Sequence, residues 1–329
     1  MRLVLTVALL LAVSGAARAD ELIVYSERQE PLIKPIFDTY TKETGVTIRY
    51  LTDSAPVLIE RLAAEGEATR ADRLMSVDAG NLWQAAERGL LAKTSSPVID
   101  AAIPANLRDP DGHWVSLSLR ARTIVYSKER VQPSELSTYE ALAEPQWKGR
   151  LCLRSSKKVY NQSLTATMIA RLGAEKTETV LRGWVANLAA PPFADDTQLI
   201  NAIAAGQCDV GVVNTYYLGR MIKSDPALPV TVFWPNQNDA GVHVNVSGAG
   251  ITKYSKQKAQ AQKLLEWLAS DEAQDEFARL NFEFPAKPGI GVDPIVAAWG
   301  TFKADPVNVV EAGRRQAEAV RLMDRAGWK

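Results

Sequence analysis

Histidine and cysteine are scarce in this chain, two of each among 329 residues. Of the histidines, His113 sits in the turn-like Pro110-Asp111-Gly112-His113, and His243 stands far from it in sequence. No H-E-x-x-H, C-x-x-C or G-x-S-x-G occurs, so zinc or nucleophilic catalysis is poorly supplied. Phosphate-cradling glycine loops are missing too: neither G-x-x-x-x-G-K-[ST] nor G-x-G-x-x-G is present, and Gly248-Ala249-Gly250 alone is a weak signal. The acidic pair Asp195-Asp196 reads as a solvated turn or helix cap before Thr197 rather than as a catalytic pair. Positive charge is not in excess, since 38 Lys and Arg balance 38 Asp and Glu; the basic patch that nucleic-acid binding needs is absent. No apolar run reaches the roughly 20 residues of a membrane-spanning helix. Enzyme, nucleic-acid binder and integral membrane protein are each disfavoured by what is missing.

What is present begins at the amino terminus. Arg2, an apolar stretch from Leu3 to Val13 broken only by Thr6, and small residues ending Ala17-Arg18-Ala19 make a secretory signal peptide, residues 1–19, cleaved before Asp20. No cysteine stands near that point, so the mature chain is expected to be free of a lipid anchor, soluble and periplasmic. Taking Arg2 and Arg18 from the 38 basic residues leaves 36 against 38 acidic ones. About 310 mature residues suggest roughly two domains. The even cysteine count in an exported chain favours a disulfide between Cys152 and Cys208. It would close a loop of about 57 residues and add about 4 kcal/mol on chain entropy.

Along the mature chain, strand-like and helix-like patterns alternate. Glu21–Ser26, Val46–Leu51 and Leu74–Val77 read as strands; Pro31–Thr44, Val57–Ala64 and Asn81–Arg88 read as helices, with Gly45 and Gly89 as stops. The rhythm returns in the strands Thr123–Tyr126, Arg150–Leu153, Asp209–Val213 and Val244–Ile251. Between and after them come the helices Gln162–Leu172, Leu199–Ala205, Tyr217–Lys223, Ala259–Leu268 and Glu272–Leu280. The pattern predicts an α/β fold with a mostly parallel sheet and helices on both faces. Two lobes are expected, 20–118 plus 244–292 and 119–243 plus 293–329. They would be joined by strands crossing near Ser118–Arg122 and His243–Asn245, with the ligand in the cleft between them.

Four of the nine tyrosines stand at or just past the carboxyl ends of predicted strands, where open α/β sheets bind ligands. Tyr25 ends the first strand, Tyr160 follows Arg150–Leu153 and a polar loop, and Tyr216 and Tyr217 sit at a strand-to-helix junction. Arg220, four and three residues on, shares their helix face. Position alone leaves two readings open: a convergent set of phenols, or ordinary half-buried aromatics whose hydroxyls find hydrogen bonds. Tyr40, Tyr50, Tyr126, Tyr139 and Tyr254 are read as the latter.

At these residues the chain resembles the ferric-ion-binding periplasmic proteins of bacterial ABC importers, the Fut type and more distantly the Fbp type. The matching stretches are VYSERQ (24–29), SVDAGNLW (76–83), LRARTIVYSK (119–128), WKGRLCLRSS (147–156), VYNQSL (159–164), DDTQLINAIAAGQCDVGVVNTYYLGR (195–220) and HVNVSGAGI (243–251). The resemblance implies a two-lobed periplasmic-binding-protein fold of class II that closes on one Fe³⁺ as cargo. Tyr25 from one lobe and Tyr160, Tyr216 and Tyr217 from the other would be its ligands, with Arg220 and Arg120 as cations behind them. A permease and its ATPase would be the partners of a monomeric carrier. Gln29 stands where many relatives carry a histidine, so four phenolates, with water or a small anion, are expected to make the shell. The competing expectation is a small organic cation such as a polyamine, held by cation–π contacts.

Overall fold

The computed structural model describes residues 21–329, and the expected signal peptide, 1–19, lies outside the described residues. The chain opens as β1 (Glu21–Ser26), α1 (Glu30–Thr44), β2 (Thr47–Thr52), α2 (Ala55–Glu65), β3 (Arg73–Ser76), α3 (Ala79–Glu87) and α4 (Pro97–Ala102). There follow β4 (Val115–Ser127), β5 (Leu151–Cys152), α5 (Val159–Leu172), α6 (Ala174–Ala186), α7 (Asp196–Ala204), β6 (Val210–Asn214), α8 (Thr215–Ser224) and β7 (Val230–Phe233). The chain closes with β8 (Val244–Ile251), α9 (Lys258–Leu268), α10 (Asp271–Asn281), β9 (Phe284–Pro285), α11 (Pro294–Ala297), α12 (Glu311–Arg314) and α13 (Gln316–Arg325). Local chemistry sets many boundaries. Pro31 lies in the first turn of α1, where a missing N–H costs nothing, and Gly45 ends that helix in the left-handed region at φ 74°. Among the described residues no helix is long and apolar enough to cross a membrane.

β1 pairs in parallel with β2 on one side and β3 on the other, and β5 pairs in parallel with β6. The remaining pairings, β3 with β8 and β4 with β6, β7, β8 and β9, are antiparallel. The sheet is therefore mixed, which corrects the expectation of a mostly parallel one. Strand and helix alternation gives the sequence of elements but not the direction of a strand that returns from the other lobe.

β4 organises the molecule. Its first part, Val115–Ala121, pairs with β8, and its second, Arg122–Tyr126, pairs with β6. The cores divide at the same place. Leu22, Val24, Phe37, Leu74, Leu117, Val246 and Phe277 fill one lobe; Ile124, Trp147, Leu164, Trp184 and Val210, with Val125, Leu199 and Val213 beside them, fill the other. Each fully buried side chain of this size contributes about 1.5–3 kcal/mol. Gly248 on β8 lets backbones come close, because a Cβ there would lie 2.6 Å from the Val115 carbonyl oxygen and 2.8 Å from Leu82. The carboxyl-terminal stretch serves both lobes: Val309, Val310 and Ala312 pack in the first core, and Ala319, Leu322 and Met323 in the second. Residues 293–329 are thus not confined to the second lobe, as the periodicity alone suggested. Asp78, the N-cap of α3, ties the lobes further by accepting from Ser163 of α5 at 3.0 Å.

Candidate metal centre

Strand ends deliver their loops to a cavity of about 490 Å³ between the lobes. Tyr160, Tyr216, Tyr217, Arg154, Lys158 and Arg220 line it from the second lobe, and Glu27, Arg28, Gln29, Arg120 and Glu283 from the first. Tyr160 is the second residue of α5, which starts at Val159 rather than at the expected Gln162. Tyr216 and Tyr217 occupy the first turn of α8, directly after β6. At that junction both rings turn to one side, their centroids 4.5 Å apart.

The residue that assembles these two segments is Arg122. Its guanidinium, fully buried, donates to Asn161 at 2.8 Å, to Asp196 at 3.0 Å, to Asn214 at 3.1 Å and to the Val212 carbonyl at 3.1 Å. Asn161 follows Tyr160, and Asn214, which donates to the Tyr216 hydroxyl at 3.3 Å, precedes the tyrosine pair by two residues. Asp196 accepts from the Asn214 N–H as well and is completely buried. Of the acidic pair, then, Asp195 caps α7 as the sequence suggests, while Asp196 is a buried counter-ion rather than a solvated one. Removing Arg122 or Asp196 would deprive the other of its partner in a buried ion pair, a change typically worth about 3–5 kcal/mol.

Burial keeps the Tyr160 and Tyr216 phenols neutral. Tyr160 is pushed up to about 12, chiefly by desolvation, with Arg120 pulling the other way and charge on Tyr217 and Glu27 adding to the rise. Tyr216 rises well above the usual tyrosine value through desolvation and then through charge on Tyr160 and Tyr217. Cations surround the group. Lys158, Arg154 and Arg120 lie 4.5, 5.7 and 6.0 Å from the Tyr160 ring centroid. Arg220 sits 5.0 Å over Tyr216, and Arg154 reaches the Tyr217 hydroxyl at 3.5 Å. Arg120 is buried and donates to the Val77 carbonyl and to Ser247, yet its Nε and Nη1 have no partner among the described residues. Orphaned guanidinium N–H groups beside a polar cavity are unfavourable unless a ligand or water meets them.

Tyr25 does not join the other three, which corrects the expectation that it faces the cleft. It lies within β1, opposite Leu51 of β2 and Leu74 of β3, so the sheet continues on both sides of it. Its ring stands off the sheet face against α2, where the hydroxyl donates to the Glu65 carboxylate at 2.9 Å and Arg61 covers the ring at 5.3 Å. Burial and the Glu65 charge raise its pKa.

Several lining groups escaped the sequence reading. Glu27, Arg28, Arg154 and Lys158 all follow strand ends, so the rule that found the tyrosines could have found them. Glu283 precedes a two-residue strand and gave no signal. The disulfide Cys152–Cys208 is present, with Cα atoms 6.0 Å apart, and it lies under this wall of the cavity at the end of β5. Among the described residues no cluster of three or more His, Cys, Asp or Glu could hold a metal, so the phenols are the dense donor set of the cavity.

With this geometry in place, comparison with known proteins is informative. The bacterial extracellular solute-binding proteins match residues 25–275. Iron uptake protein A2 of Synechocystis sp. is 43% identical over 323 residues, 96% of this chain and 92% of that protein. The structure of Trichodesmium IdiA (FutA) in complex with iron and citrate superposes with a TM-score of 0.91 at 44% identity, covering 94% of this chain and 100% of that one. Apo ferric ion-binding protein A of Pasteurella haemolytica gives 0.87 at 38% identity, over 94% and 98% of the two chains.

Proposed function

Since this chain belongs to the bacterial extracellular solute-binding proteins, in their non-enzymatic ferric-iron-binding periplasmic group, we propose that it carries one ferric ion on Tyr160, Tyr216 and Tyr217 and hands it to an ABC permease and its ATPase. Ferric iron is small, hard and highly charged, and anionic oxygen suits it, by extension of the matching of ligand softness to metal. The cation itself drives the deprotonation that burial opposes, because metal charge inverts the local pKa logic. Three phenolates neutralise the three charges of the ion.

The lining then accounts for the rest of the shell. It holds five cationic side chains, Arg28, Arg120, Arg154, Lys158 and Arg220, against the carboxylates of Glu27 and Glu283. Adding three phenolates balances the lining, so the ion's own charge leaves room for a small anion or water on the free N–H groups of Arg120. The same count argues against an organic cation, which would meet five positive groups and no tryptophan in the lining.

The observation that carries this reading is the convergence of three phenols, from the two helix starts of α5 and α8, on one cavity wall that has no thiol or imidazole. Tyr216→Phe combined with Tyr217→Phe tests it. The wild-type protein should develop a visible phenolate-to-iron charge-transfer band on titration with ferric nitrilotriacetate, and the double variant should lose the band while its apo form unfolds at a similar temperature. A band of unchanged intensity in the double variant would sink the assignment.

A further inference from the structure

We infer that Glu27 is the ligand from the first lobe, joining the three phenolates on the bound ferric ion when the lobes close; this rests on the ferric reading above. A hard cation seeks anionic oxygen, and few first-lobe groups in the cavity offer it. Tyr25 is turned to α2 and bonded to Glu65. Gln29 presents a neutral carboxamide, a poor donor to iron. Glu283 is spent: its oxygens accept from Arg28 at 3.1 and 2.8 Å and from Ser118, all in a buried setting.

Glu27 is held differently. Its Oε2 accepts from Ser76, from the Val77 N–H at 3.0 Å and from Asn81 at 3.2 Å, and among the described residues no hydrogen bond reaches Oε1. Its own backbone N–H donates to the Met75 carbonyl at 2.9 Å, which fixes the residue between the ends of β1 and β3. One oxygen pinned and the other unused is how a supporting shell orients a ligating carboxylate, and it lowers the entropy lost on binding. The carboxylate is also close enough to Tyr160 for its charge to oppose ionisation of that phenol, an opposition that a trivalent cation between them would reverse. The extra negative charge on the core falls among Lys158, Arg154 and Arg120, the cations that already surround Tyr160.

Glu27→Gln separates this role from the seat itself. Titrated with ferric nitrilotriacetate, the variant should keep the phenolate-to-iron band, because the tyrosines are intact, with its maximum at longer wavelength because a weaker donor replaces carboxylate. Its affinity should fall by at least the about 10- to 100-fold that even an outer-shell partner of a metal is worth. Compaction on loading, followed by small-angle scattering, should shrink with it. Because Glu27 also holds the turn before α3, Asn81→Ala serves as a second variant: it loosens the same turn and leaves the carboxylate. The inference is overturned if Glu27→Gln matches wild type in affinity and band position, or if Asn81→Ala reproduces all of its effects. Absence of any band in the wild-type protein would instead overturn the ferric reading beneath it.

Discussion

Tyr25 and Tyr216 are both nearly buried aromatics close to a strand's carboxyl edge, yet they do opposite things. Tyr216 follows the last residue of β6, so its ring belongs to a helix start and faces the cavity. Tyr25 comes one residue before β1 ends, and its flanking strands run on to Thr52 and Ser76. In a pleated strand a side chain projects from the sheet face rather than beyond its end. Tyr25→Phe should therefore leave the charge-transfer band and the ferric affinity unchanged in a spectrophotometric titration. It should cost about 1 kcal/mol in denaturant unfolding, for the lost hydrogen bond to Glu65. At this scale the sequence was legible wherever a residue lay past a strand. It was illegible where one position decided between sheet face and cleft, and at Arg122, whose role depends on Asn161, Asp196 and Asn214 meeting from three distant segments.

Among elements, the disulfide stands out because it joins β5 to the turn before β6, the two strands whose ends feed α5 and α8. Cys152 pairs in register with Gly211, where a side chain would strike the Cys152 carbonyl oxygen at 2.9 Å, so the two strands are drawn together covalently and sterically. Replacing both cysteines by alanine should lower stability by about 4 kcal/mol on the chain-entropy account, measured by urea unfolding. The folded fraction should still take up ferric iron and colour, because neither sulfur faces the cavity. Several long elements were readable from periodicity: β8 appears with the expected bounds, Val244–Ile251, and α1 begins one residue before the expected start, whereas α6 had no counterpart in the expected elements and β4 begins at Val115 rather than Thr123. Two short strands escaped as well. β7 and β9 span four and two residues, too few for a repeat of two to declare itself, and they owe their existence to β4 as a template.

For the molecule as a whole, the proposed phenolate seat would couple loading to proton release. With Tyr160 raised to about 12 and Tyr216 raised well above the usual tyrosine value by burial, these two phenols are protonated in the empty protein across the physiological range. On the proposed three-phenolate seat, loading would expel one proton from each ligating phenol, so lowering the pH would oppose binding. The apparent ferric affinity should fall by up to about tenfold per proton for each unit of pH, roughly a thousandfold at the limit. Competition against a chelator of known protonation behaviour, run between pH 6 and 8, measures the slope; a flat profile would mean that neutral groups hold the metal. The two-lobed plan behind this behaviour was largely legible, because both lobes repeat a strand–helix rhythm. The shared carboxyl-terminal stretch was not, because its few apolar residues carry no sign of which core they enter.

β4 gives the two lobes a common measure. Arg120 and Arg122 are two residues apart on one side of one strand, the first reaching Val77 and Ser247 and the second Asn161 and Asp196. Two residues of extended chain span about 6.4–6.8 Å and return a side chain to the same face. The strand thus works as a ruler with two marks, one in each half of the molecule. Its side chains can change in bulk, but adding or deleting a single residue between the marks would turn one arginine away from its partners, so length is the property this segment cannot surrender.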